Sequence, residues 1–111
     1  MPMPFSHFVE SVATEFKQEL QTMYGDQFIG LVLFGSYARG DYQPESDMDF
    51  AVVLKDPATR PAAEIVRLAP LSAELSLKHG VLVSILPVSE QKLNTSGQSV
   101  YEAIRQEGIQ L

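Results

Sequence analysis

Two carboxylates spaced two residues apart, Asp47 and Asp49, and an upstream Gly35-Ser36 pair carry the most chemistry in this 111-residue chain. On an extended strand, side chains at i and i+2 leave the same face, about 6.6 to 6.8 Å apart along the chain. Carboxylates placed this way can share hard, oxygen-seeking cations such as Mg2+ or Mn2+. A Gly-Ser pair at a strand end does complementary work. The glycine lets a phosphate reach backbone amides where a side chain would clash, and the serine adds a hydroxyl donor. Ten residues, 37–46, separate the two features within LFGSYARGDYQPESDMDFAVV. Together they read as a seat for a nucleoside triphosphate and its metal. Arg39, inside the same stretch, can neutralise a phosphate oxygen or pair on the surface with Asp41. Taken singly, each feature has a plainer reading: a turn for Gly-Ser, solvated strand-start acids for Asp-x-Asp.

Positioning these residues requires a particular order of elements. Phe28 to Phe34 is apolar on both alternating faces, which predicts a central strand running into the turn at Gly35. Asp47 to Leu54 predicts a second strand, with Asp47, Asp49, Ala51 and Val53 on one face and Met48, Phe50, Val52 and Leu54 on the other. Before them, apolar residues at helical spacing from Phe8 to Met23 predict an amphipathic helix over Ser6 to Tyr24, with Ser6 as N-cap and Gly25 as stop. After them comes a helix over Ala62 to His79, in which Pro70 should kink the helix or start a new one; Gly80 closes it. Val81 to Val88 predicts a third strand. A short helix from Ser89, a loop over Asn94 to Gln98, a helix from Ser99 to Gln106 and an edge strand within Gly108 to Leu111 complete the chain. The expected architecture is α/β (α+β), a small mixed β-sheet with helices packed against it, forming one domain over 1–111.

Composition narrows the partners. A net charge of −6 repels long polyanions, so nucleic acid is not expected as the main partner. The absence of cysteine removes disulfides, thiolate zinc sites and thiol catalysis. Met1-Pro2-Met3-Pro4 has neither a basic region nor an apolar run, and no stretch approaches the ~20 residues of a membrane span, so a cytoplasmic chain without membrane contact is expected. His7 and His79 lie in no metal or triad spacing. Tyr37 and Tyr42 flank the motif, where they can pack or stack on a base.

Gly-Ser, ten residues, then Asp-x-Asp resembles the signature of the DNA polymerase beta-like nucleotidyltransferase superfamily, and GSYARGDYQPESDMDFAVV looks like its minimal nucleotidyltransferase (MNT) branch. The resemblance implies the polymerase beta-like nucleotidyltransferase fold. It implies Gly35, Ser36 and Arg39 on the triphosphate of ATP or another nucleotide, with Asp47 and Asp49 as catalytic metal ligands. It also implies an antitoxin of a HEPN-domain RNase toxin that transfers AMP to a hydroxyl of its protein partner; a homo-oligomer is compatible with it. One departure stands out. Relatives commonly carry a third carboxylate on a following strand, where this chain aligns Ser84, and Glu64 and Glu74 are the nearest alternatives. A hydroxyl is neither a base nor a strong magnesium ligand at neutral pH. The second reading is therefore a non-catalytic nucleotide-binding antitoxin or regulatory subunit that blocks its partner by binding.

Overall fold

The computed structural model describes residues 7–111. Helix α1 spans His7–Tyr24, so the expected N-cap, Ser6, lies outside the described residues. Its apolar stripe, Val9, Val12, Phe16 and Leu20, is fully buried against the sheet. A short 3-10 turn, Gly25–Gln27, leads into strand β1, Phe28–Phe34. Helix α2, Ser36–Arg39, forms where the sequence predicts only a turn. Strand β2 is Met48–Leu54, one residue shorter than expected, which leaves Asp47 just ahead of the sheet.

Helix α3, Pro61–His79, runs unbroken through Pro70, so no new helix starts there. Proline removes the hydrogen bond to the carbonyl four residues back, that of Val66. Val66 and Pro70 are both exposed, which lets water take that carbonyl and the helix continue. Strand β3, Val83–Ser89, is followed by α4, Glu90–Thr95, whose N-cap Ser89 accepts from the Lys92 amide at 3.0 Å. Helix α5, Ser99–Glu107, and strand β4, Ile109–Gln110, close the fold. Among the described residues no helix is long and apolar enough to cross a membrane.

The sheet order is β3-β2-β1-β4, with β1 antiparallel to β2 and β4, and β2 parallel to β3. This is the small mixed sheet the sequence implies. Its two faces are unequal. Met48, Phe50, Val52 and Leu54 join α1 and Leu68 and Leu75 of α3 in the larger core, where Phe16 meets Phe50 edge to face at 5.5 Å. Ala51 and Val53 face the other way, onto a smaller cluster with Val88, Leu93, Tyr101 and Ile104 from the α4–α5 side.

Gly108 is where α5 meets β1. A Cβ there would run into the Ile104 carbonyl oxygen and lie 2.6 Å from Val32 Cγ1, although its backbone is of ordinary extended type. Gly108→Ala should therefore destabilise the fold by about 1–3 kcal/mol through overpacking. A lower urea midpoint at unchanged m would show it. Gly97→Ala is the neutral control, since its Cβ would meet only Glu102 Oε1 at 3.8 Å.

Candidate active site

The antiparallel register places Phe34, the last residue of β1, opposite Asp49 of β2. The chain then turns at Gly35, with φ 74° and ψ −155°, a combination essentially confined to glycine. Space makes a second demand. A Cβ on Gly35 would collide with the Asp49 carboxylate, coming 3.2 Å from its Cγ. The sequence motivates this glycine by the approach of a phosphate; the structure adds that Asp49 already occupies the side-chain position. The turn and the carboxylate are thus in van der Waals contact.

From Gly35 the chain enters α2. The Gly35 carbonyl accepts from the amides of Ala38 at 3.1 Å and Arg39 at 3.0 Å, and the Gly40 amide closes onto the Ser36 carbonyl at 2.8 Å. The amides of Ser36 and Tyr37 precede the first intrahelical donor, the Ala38 amide, and so have no acceptor within α2. Tyr37 points into the core and stacks on Tyr42, ring centroids 4.2 Å apart, which is the packing alternative for this pair. Met48 at the head of β2 donates from its amide to the Leu82 carbonyl at 2.9 Å, tying the start of β2 to the start of β3.

Asp49 is half-buried and Asp47 exposed. Burial pushes the Asp49 carboxyl above the usual carboxylate range and the charge of Asp47 pushes it further, while the Ser84 hydroxyl and Arg39 act in the opposite direction. Ser84 sits where the parallel register pairs it with Asp49 itself. Among the described residues no group of three or more His, Cys, Asp and Glu could hold a metal, so the carboxylates here number two. Neither alternative acid joins them. Glu64 accepts from the Tyr24 hydroxyl at 2.5 Å, beside Leu54 and Asp56 at the far end of β2. Glu74 is exposed on α3, near Lys78. The histidines lie elsewhere too: His79 pairs with Glu15 at 2.8 Å, and His7 is exposed beside Glu10.

Arg39 pairs with Asp41 at 3.2 Å, as its surface reading predicts, and also with Glu107 at 3.0 Å. The sequence does not single out Glu107. It lies 68 residues away, and the only hint is the expected C-terminal edge strand, which would bring the end of α5 back to β1. A cleft of about 660 Å³ opens between α3 and the start of β3. Asp47 and Ser84 stand in its wall with Ile65, Leu77, Leu82 and Ile85.

Two carboxylates, a backbone turn whose first two helical amides have no intrahelical acceptor, and an arginine at one end of a sheet are able to hold a metal-bound polyphosphate. The model of the nucleotidyltransferase domain family matches residues 13–109. "Putative protein adenylyltransferase MJ0141" of Methanocaldococcus jannaschii is 38% identical over 74 residues, spanning 66% of this chain and 72% of that protein. Among solved structures, a toxin-antitoxin complex with AMP-PNP contains a chain similar at TM-score 0.60 and 20% identity, covering 86% of this chain and 69% of that one. A second similar chain, TM-score 0.54 and 18% identity, covering 91% and 69%, comes from a tri-AMPylated Shewanella oneidensis HEPN toxin in complex with MNT antitoxin. By sequence family and by a mixed four-strand sheet with packed helices, this chain belongs to the nucleotidyltransferase-domain proteins of polymerase beta-like fold.

Proposed function

We propose that this chain binds a magnesium-bound nucleoside triphosphate, ATP first among them, and transfers its AMP moiety to a hydroxyl of a protein partner, as the antitoxin of a HEPN-domain toxin. The observation that carries the reading is the contact between Gly35 and Asp49, which joins the phosphate turn to a metal-binding carboxylate. The amides of Ser36 and Tyr37, the Ser36 hydroxyl and Arg39 hold the triphosphate. Asp47 and Asp49 hold the metal; their mutual repulsion and the burial of Asp49 make them a pair that a cation relieves. Magnesium, when bound, offsets the charge of the triphosphate and of the departing pyrophosphate. The acceptor oxygen forms a bond to the α-phosphorus as the bond to pyrophosphate breaks, and the acceptor proton passes to solvent, since Ser84 offers no base there. The apolar cleft beside Asp47 suits a protein acceptor better than a free sugar, whose hydroxyls its Ile and Leu walls would leave unpaired.

Ser84 favours a second reading, a nucleotide-binding antitoxin that acts by blocking its partner. Incubating the protein and magnesium with α-labelled ATP and a HEPN partner separates the two. Label on the partner supports transfer, and inhibition of the partner without label supports blocking.

Calorimetry should show ATP binding strengthened by magnesium, because carboxylates and phosphates repel until a cation bridges them. Equal affinity with and without magnesium, or after Asp47→Asn with Asp49→Asn, would remove the metal assignment. Ser84→Asp should raise single-turnover transfer by at least about tenfold, the low end of what a positioned base contributes. A slower Ser84→Asp variant would mean that this position is not the vacant one. Asp49 also predicts a stability change. Its native carboxyl holds a proton to higher pH than the unfolded chain does, so ionising it costs stability as pH rises from the unfolded value through the native one, and the cost persists at neutral pH. Asp49→Asn should therefore raise the urea midpoint at pH 7, with the gain shrinking as pH falls through the native value and lost below about pH 4, where both states are protonated.

A further inference from the structure

The guanidinium of Arg39 has two faces able to grip an oxyanion with two parallel hydrogen bonds: one formed by Nε and Nη2, the other by Nη1 and Nη2. Asp41 Oδ2 takes Nε at 3.2 Å, and Glu107 Oε1 takes Nη1 at 3.0 Å. Nε has a single N–H, so a phosphate can take a two-donor grip on the Nε/Nη2 face only by displacing Asp41, whereas Nη1 has two and holds Glu107 without closing that face. The two carboxylates are held very differently. Asp41 is 64% exposed, two residues along a loop from Arg39 itself. Glu107 is 30% exposed and ends α5. The next residue, Gly108, is packed against Val32, and Ile109 pairs with Leu33 two residues before the phosphate turn.

We infer that Glu107 is a positioning residue that holds Arg39 by Nη1, aiming its Nε/Nη2 face at the phosphate seat, and that Asp41 is a placeholder on that face which an incoming phosphate displaces. The inference rests on the proposed triphosphate seat. It makes two carboxylates beside one arginine act with opposite sign on a polyanionic ligand. Charge repulsion alone would make both inhibitory.

The test is calorimetric binding of magnesium-ATP to the full chain and its variants, with thermal midpoints confirming that each is folded. Glu107→Gln should weaken binding about two- to fivefold, the range an exposed ion pair supports, even though it removes negative charge. Asp41→Asn should tighten binding by a similar factor. In an Arg39→Gln background, Glu107→Gln should have no further weakening effect, which a merely structural role for Glu107 would not produce. Binding by the wild type with unchanged or tighter binding by Glu107→Gln overturns the positioning role while leaving the phosphate seat standing. Weaker binding by Asp41→Asn overturns its role as placeholder. Absence of binding by the wild type overturns the seat and this inference together.

Discussion

A carboxylate lodged against a backbone turn is the constraint on which the rest of this structure depends. For Asp49 to lie where Gly35 would carry a side chain, β1 and β2 must be antiparallel neighbours with Phe34 facing Asp49. Both strands are interior in the order β3-β2-β1-β4. Interior strands need cover on both faces, and the alternation along β2 assigns it: Phe50 and Val52 to the α1–α3 side, Ala51 and Val53 to the α4–α5 side. The ends of β1 and β2 that meet at Gly35 carry the candidate site. An ionisable group held partly out of water in this way costs stability in the absence of a cation, a strain of the kind that functional sites store.

Much of this was legible in the sequence, for reasons that differ by element. The alternation in DMDFAVVL assigns the faces of β2 correctly because a strand's period is fixed by its backbone. The amphipathic stripe of α1 and the edge strand near the C-terminus follow from equally local patterns. The helical turn at Ser36–Arg39 was not legible as a helix, since four residues contain too little periodicity to separate it from a turn. Pro70 misleads for a physical reason: its cost depends on whether water can reach the Val66 carbonyl, which is a property of the packed molecule. At the site, the placement of Ser84 opposite Asp49 agrees with the alignment of β3, while the exclusion of Glu64 and the pairing of Glu107 with Arg39 are tertiary facts that no local pattern encodes.

The parallel pairing of β2 and β3 sets what stands beside the two carboxylates. A parallel neighbour must arrive by a crossover, here α3, and the crossover brings its own surface along the same edge. Ser72 and Ser76 of α3 spend their hydroxyls on the Val83 carbonyl and amide, at 2.7 and 2.9 Å. Those bonds seal the outer edge of β3 where it begins. What remains facing the cleft is therefore mostly hydrocarbon, with Asp47 and Ser84 as polar groups at one end.

The inequality of the two sheet faces has a dynamic consequence. The larger core locks α1 and α3 to the sheet through fully buried Phe16, Leu20, Phe50 and Leu68. The α4–α5 layer is held by fewer and smaller groups, with Arg105 bonding to the Leu93 and Ser96 carbonyls to keep the two short helices together. Regions with less buried apolar contact open at lower free energy than the global transition, in cooperative units. By that measure the α4–α5 layer opens at lower free energy than the β1–β2 pair, with the end of α5 and β4 leaving β1 first. Amide exchange in residues 99–110 would thus run ahead of that in β1 and β2, through local openings that precede the global transition.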